Sequence, residues 1–205
     1  MRALINCFFT ILILTSCSGK KTATSTAITS AATSLLKTLP DSIDAAIGTL
    51  DRRLDIKMKR KTYEPQPGNL VTIQKWFEFG DTTRLVKLRE EILTGDTKMD
   101  VSQYHFLNGK LVQIHEYQLN KKCAENGKQC MDEAKYYFTN DSLKVGVQRH
   151  AEGTESSPPQ IETQSFQAVK PGTSFVTTRI NKLATINKKY ASLPNPKPKE
   201  EKGTH

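Results

Sequence analysis

Residues 103–117 read QYHFLNGKLVQIHEY, and residues 135–149 read KYYFTNDSLKVGVQR. Asn108-Gly109 stands between two runs of alternating apolar residues. In that setting Asn-Gly is the strongest short-range sign of a two-residue hairpin, because a type I′ turn needs positive φ at both central positions. Tyr104, Phe106, Asn108 and Leu111 recur at one constant offset as Tyr136, Phe138, Asn140 and Leu143. Two copies are too few for a solenoid. They predict two adjacent hairpins of one antiparallel meander.

Working outward, residues 70–79 alternate, with Val71, Ile73, Phe77 and Phe79 on one face. Gly80-Asp81 turns the chain, residues 84–92 give another strand, and Thr94-Gly95-Asp96 turns it again. N-terminal to these, Pro40-Asp41 opens a helix in which Ile43, Ile47, Leu50, Leu54 and Met58 share one face. Pro65, Pro67 and Gly68 end it. Residues 161–169 offer one more strand, and Pro171-Gly172 precedes a second helix with Val176, Ile180, Leu183, Ile186 and Tyr190 on its apolar side. The expected class is α+β: an antiparallel β-meander of about six strands with an N-terminal and a C-terminal helix packed on it.

The extreme N-terminus carries an address. Arg2 precedes an apolar run, and Leu14-Thr15-Ser16-Cys17 follows it. This resembles the lipobox of bacterial lipoproteins, an apolar residue and two small residues before a Cys. The resemblance implies cleavage after residue 16, lipid on Cys17 and attachment to a membrane through the acyl chains. Ser18 after the Cys is compatible with delivery to the outer membrane. Residues 1–16 are therefore expected to be a signal peptide and 17–40 a Ser/Thr/Ala-rich tether. Residues 41–192 should be the folded domain, and 193–205, with Pro194, Pro196 and Pro198 among Lys and Glu, a disordered tail. No stretch reaches the roughly 18 apolar residues of a spanning helix, which excludes a multi-pass membrane protein.

Residues 41–150 also resemble a broad group of uncharacterised small bacterial lipoproteins, common among Bacteroidetes, in which a helix precedes strands carrying Y-x-F-x-N-G-K-L hairpins. Tyr104, Phe106, Asn108, Gly109, Lys110 and Leu111 carry the likeness, and the second copy departs from it with Asp141-Ser142. The group implies architecture and no activity. Asp41-Ser42-Ile43, Asp81-Thr82-Thr83 and Asp141-Ser142-Leu143 resemble the O-glycosylation pattern of the same bacteria.

Of the four cysteines, Cys7 leaves with the signal and Cys17 carries lipid, so Cys123 and Cys130 remain. In an oxidising envelope they are expected to form a disulfide, stabilising by roughly 2.5 kcal/mol on a chain-entropy model. A metal pair is the rival, disfavoured by the spacing and by the lack of a His nearby in sequence. The disulfide would stiffen a loop carrying Lys121, Lys122 and Lys128, a candidate partner-binding surface.

Regular pairing through Asn108-Gly109 sets His105 opposite Val112 and His115 opposite Ser102, which puts the two histidines on opposite faces of the sheet. No Ser-His-Asp or Cys-His arrangement is legible. Glu90 and Glu91, adjacent on a strand, point to opposite faces and read as surface charge. Lys57, Lys59, Arg60 and Lys61 read as the basic end of the first helix, with anionic lipid headgroups as an alternative contact. Trp76 points away from the apolar side of its strand and is a further candidate partner-binding residue. The net charge of +9 would suit nucleic acid, but an exported lipoprotein does not meet it, so no nucleic-acid partner is expected. Neither a cofactor nor a resident metal is expected. The sequence points to a non-catalytic envelope binding or scaffolding module with a possible envelope protein partner. The alternatives are a periplasmic inhibitor presenting the disulfide loop and an uncharacterised envelope enzyme.

Overall fold

The computed structural model describes residues 24–79, 81, 83–123 and 127–195, with side chains described from Thr38 onward. The signal segment, Cys17, Thr82 and residues 196–205 lie outside the described residues. The chain divides into two compact units, Met1–Leu35 and Leu36–His205. The described part of the first is the opening of helix α1 (Thr24–Asp51). The second holds the remainder of α1, strands β1 (Ile56–Gln66), β2 (Asn69–Glu78), β3 (Leu85–Thr94), β4 (Lys98–Leu107), β5 (Lys110–Asn120), β6 (Gln129–Thr139), β7 (Ser142–Gly153) and β8 (Gln167–Val169), and helix α2 (Thr173–Ser192). The fold is α+β. Among the described residues its strands form one sheet in sequential order, each antiparallel to the next, with eight strands where the sequence suggests about six. Among the described residues no helix is long and apolar enough to cross a membrane.

The two hairpins match in detail. Asn108 and Gly109 have φ of 52° and 75°, and Asn140 and Asp141 have 51° and 60°. Asp141 therefore adopts the left-handed backbone of Gly109, which Asp tolerates better than most side chains. Each hairpin also carries a bulge at the same place. Phe106 pairs with Leu111 but His105 with Gln113, leaving Val112 extra. Phe138 pairs with Leu143 but Tyr137 with Val145, leaving Lys144 extra.

The bulge overturns the regular register. His105 lies opposite Gln113 and His115 opposite Gln103, so both histidines share one face. One extra residue moves every later side chain of β5 to the other face. Ile114 consequently joins Leu88, Tyr104 and Tyr136 in a cross-strand row under α2.

That row, with Val71, Ile73 and Phe138, makes the main core, into which α2 inserts Ile186 beside Leu183, Val176 and Phe175. Ile180 of the expected apolar stripe is 41% exposed. On the opposite face α1 sets Ile43 and Ile47 against Tyr137 and Val145. Each fully buried aliphatic side chain here contributes roughly 1.5–3 kcal/mol. A helix therefore covers each face of the sheet.

The first helix differs from its expected limits. It runs through Pro40 and Asp41 and ends at Asp51, and the basic segment that follows is strand β1. Leu54, in register for a helix, is fully exposed. Pairing with β2, from Ile56 opposite Glu78 to Tyr63 opposite Val71, decides the matter over local spacing. Lys57, Lys59, Arg60 and Lys61 thus lie on an edge strand, where Lys discourages pairing with another chain. Lys61 also donates to the carbonyls of Tyr190 and Leu193 at 3.0 and 2.6 Å, placing a cation at the C-terminus of α2. The expected strand over 161–169 is instead a 3₁₀ turn, Ile161–Thr163, followed by the short β8.

Candidate functional site

Along the α2 face the rows of side chains change character. The apolar row Leu88, Tyr104, Ile114, Tyr136 gives way to Glu90, Ser102, Glu116, Ala134, Gln148. The next row is Ile92, Asp100, Gln118, Asp132, His150. Over these polar rows lies a groove of about 530 Å³, roofed on one side by Arg179 and Lys182 of α2 and on the other by Gln164, Ser165 and Gln167.

Its charged groups are held in place. Arg179 donates to Glu116 Oε2 at 3.0 Å from Nη2 and 3.3 Å from Nε, and its guanidinium stacks 3.4 Å from the ring centre of Phe175. Lys182 donates to Ser102 Oγ at 2.8 Å and lies 3.3 Å from Glu90 Oε2. Glu90 and Glu91 do point to opposite faces, but Glu90 is buried and paired rather than surface charge. Gln118 donates to Asp100. His150 Nδ1 lies 2.7 Å from Asp132 Oδ1, and this contact raises the imidazole above its usual pKa.

Behind the groove, on the α1 face, Glu133 is buried. Its carboxylate is 2.8 Å from His115 Nε2 and accepts from Arg149 Nε at 2.7 Å. Burial works to raise its pKa, but the bonds from His115 and Arg149 outweigh it and hold it at about 2. Phe166 lies over the Arg149 guanidinium, 4.4 Å away. This is a satisfied ion-pair network with both carboxylate oxygens occupied, an arrangement that fixes β5, β6 and β7 rather than one poised to move a proton. His105, on the same face, is 3% exposed, and its Nδ1 has no hydrogen-bond partner. Burial, with Lys87 adding, lowers its pKa to about 4.

The expected site residues separate into two places. Cys123 and Cys130 are joined in a disulfide with Cα atoms 5.7 Å apart. Lys121 and Lys122 are exposed on the same loop, and Lys128 pairs with Glu152 at 2.8 Å. Trp76 is half-buried at the other end of the sheet, in a crevice of about 160 Å³ with Leu50, Met58 and Val86, under the Lys87 ammonium 5.1 Å from its ring. It shares a row with Gln113 and Tyr137, whereas the loop leaves from Asn120 and Cys130. At about 3.3 Å per residue, the two lie more than ~20 Å apart along the strands.

The groove is not among the sites that the sequence singles out. Its signal is the alternation Asp100-Ser102, Glu116-Gln118 and Asp132, polar residues in phase with the apolar row. Only the bulged register shows that these share a face. Compared with protein-family models, with curated proteins and with solved structures, the chain finds no match in any of the three.

Proposed function

We propose that this is an exported, lipid-anchored binding module of the bacterial cell envelope, held to the outer membrane through Cys17, that takes a small hydrophilic ligand in the groove between α2 and the sheet. The groove carries this reading. Its volume of about 530 Å³ falls within the range of small-molecule sites, roughly 300–1,000 Å³. Side chains of both signs, Asp100 and Asp132 from the sheet and Arg179 and Lys182 from α2, converge on it. The lining offers carboxylates, amides and cations rather than an apolar wall, which favours a ligand with several hydrogen-bonding groups. The lipobox supports the anchor, since acyl chains on Cys17 would leave the fold free of any membrane-embedded element.

Ala134, on the groove floor between Glu116 and Gln148, supplies the test. Ala134→Phe adds bulk to the floor without removing any charged group from the groove. Native mass spectrometry of the full protein, extracted from the cells that make it, should show a discrete small-molecule adduct that Ala134→Phe loses. An adduct retained by the variant, or none on the wild type, defeats the groove as a binding site. The same spectra test the anchor: the mature chain should begin at a lipid-modified Cys17.

A further inference from the structure

At the end of the β6–β7 ladder, Cys130 pairs with Glu152 and Asp132 with His150. Alternation puts all four side chains on one face as a two-by-two block. The sulfur of Cys130, a ring nitrogen of His150 and a carboxylate oxygen of Glu152 all lie within 4.8 Å of one another. Cys123 is bonded to Cys130 and so brings a second sulfur to the same corner. Strand pairing thereby supplies the His that is missing nearby in sequence.

We infer that Cys123, Cys130, His150 and Glu152 form a zinc-type metal site whenever the Cys123–Cys130 bond is reduced, so that disulfide and metal are alternative states of one corner. This goes beyond the groove reading; the two sites share Asp132 and His150, but the metal titration below reads the cysteine corner and not a groove ligand. The donor set is chemically selective: two thiolates, an imidazole and a carboxylate suit tetrahedral Zn²⁺ and disfavour Mg²⁺ and Ca²⁺. The surroundings fit as well. His150 Nδ1 is engaged by Asp132 at 2.7 Å, leaving Nε2 facing Glu152 Oε1 at 3.7 Å. A carboxylate on the far nitrogen of a ligating His fixes its tautomer and orientation. Lys128 occupies the other oxygen of Glu152, Oε2, so Oε1 remains available to a metal.

In the disulfide state the two sulfurs are neutral and bonded to each other, which leaves only His150 and Glu152 as strong donors. Opening the site takes a dithiol. Two of its electrons cleave the S–S bond, the dithiol closes to its own disulfide, and each Cys gains a proton. Both protons leave as the metal binds.

The test titrates Co²⁺, then competing Zn²⁺, into the full chain with the disulfide intact and after reduction. The reduced protein should bind one Co²⁺ with a thiolate charge-transfer band and tetrahedral visible bands, at least about 10³-fold more tightly than the oxidised protein. His150→Ala and Glu152→Gln should each weaken binding, and Asp132→Asn should do so by roughly 10–100-fold. Equal affinity of the two redox states overturns the proposal, as does tight thiolate binding that ignores His150→Ala. Should reduction unfold the chain, zinc added before re-oxidation should restore the circular dichroism and block disulfide closure in the wild type but not in His150→Ala. Refolding indifferent to zinc overturns the proposal.

Discussion

Asp44 pins α1 to the sheet, and its removal offers a quantitative test of the packing. Its carboxylate accepts from Gln113 Nε2 at 2.6 Å, Lys135 Nζ at 3.0 Å and Tyr137 OH at 3.1 Å. Gln113 and Tyr137 are 2% and 1% exposed, so in Asp44→Ala a buried amide donor and a buried phenol both lose their acceptor. Each such orphan costs roughly 1–3 kcal/mol. The Asp44 side chain is itself 39% exposed, so water entering its place recovers part of that, and the Lys135 ion pair adds little in solvent. The expected loss is about 2–4 kcal/mol, and Asp44→Asn, which keeps an acceptor, should lose about 1 kcal/mol. Urea unfolding measures both, followed by circular dichroism and by the fluorescence of Trp76, the single tryptophan, which shares its crevice with Leu50 and Asp51 of α1. Tyr137→Phe combined with Asp44→Ala should be less harmful than the sum of the two, by about 1 kcal/mol. A loss below about 0.5 kcal/mol for Asp44→Ala, or strict additivity in the cycle, would refute the account of a helix fastened through one carboxylate.

Acid should destabilise the protein in two stages. His105, held near pKa 4 against an ordinary 6.5, stays neutral in the fold while the unfolded chain takes up a proton, so stability falls as pH drops from about 6.5 to 4. Glu133, held near 2 against 4.5, adds a second loss from about pH 4.5 downward, up to about 3 kcal/mol in all; urea midpoints across pH for Glu133→Gln should lack this lower stage and keep the upper one. Gly153→Ala should lower the melting temperature by several degrees, because a Cβ there would stand 2.5 Å from both Ser157 O and Pro159 N; an unchanged melting temperature would mean that the 154–159 loop gives way freely. Deleting Lys144, the exposed extra residue of the second bulge, should cost about 1 kcal/mol and leave the circular dichroism intact, whereas deleting Val147, past the bulge, should abolish cooperative unfolding by inverting the faces of β7 from Gln148 onward.

The strands were legible wherever alternation and turn chemistry agreed. Asn108-Gly109 named its own turn, and its weaker copy at Asn140-Asp141 was legible through the matching Tyr136, Phe138 and Leu143. The apolar residues of α2 marked that helix from Val176 to Tyr190 with Ile180 as the one misplaced member, because a helical stripe is wider than the surface it buries. The first helix ends earlier than its spacing suggests, for a physical reason. Leu54 and Met58 continue the spacing of Ile43, Ile47 and Leu50, and nothing local says that β2 requires a partner on its outer side. Pairing between β1 and β2 is a non-local demand. The disulfide could be read from the expected oxidising compartment and the short spacing, but the neighbourhood of Cys130 could not, since Asp132, His150 and Glu152 meet it only through the β6–β7 register.

The bulges connect these observations. A strictly regular first hairpin would put Ile114, Glu116 and Gln118 under α1, and His115 and Tyr117 under α2. The core row of Leu88, Tyr104 and Tyr136 would then lose its central member, and Arg179 would face no carboxylate on β5. One extra residue at Val112 corrects the phase of the whole strand beyond it. The matching extra residue at Lys144 does the same for β7, bringing Gln148, His150 and Glu152 to the groove side and leaving Arg149 to Glu133 behind it. Two single-residue bulges of the same kind, at equivalent places in a repeated hairpin, therefore set both the apolar core and the polar rows that follow it. The repeat in the sequence is a structural device for phasing strands, and the groove and the Cys130 corner are its consequences.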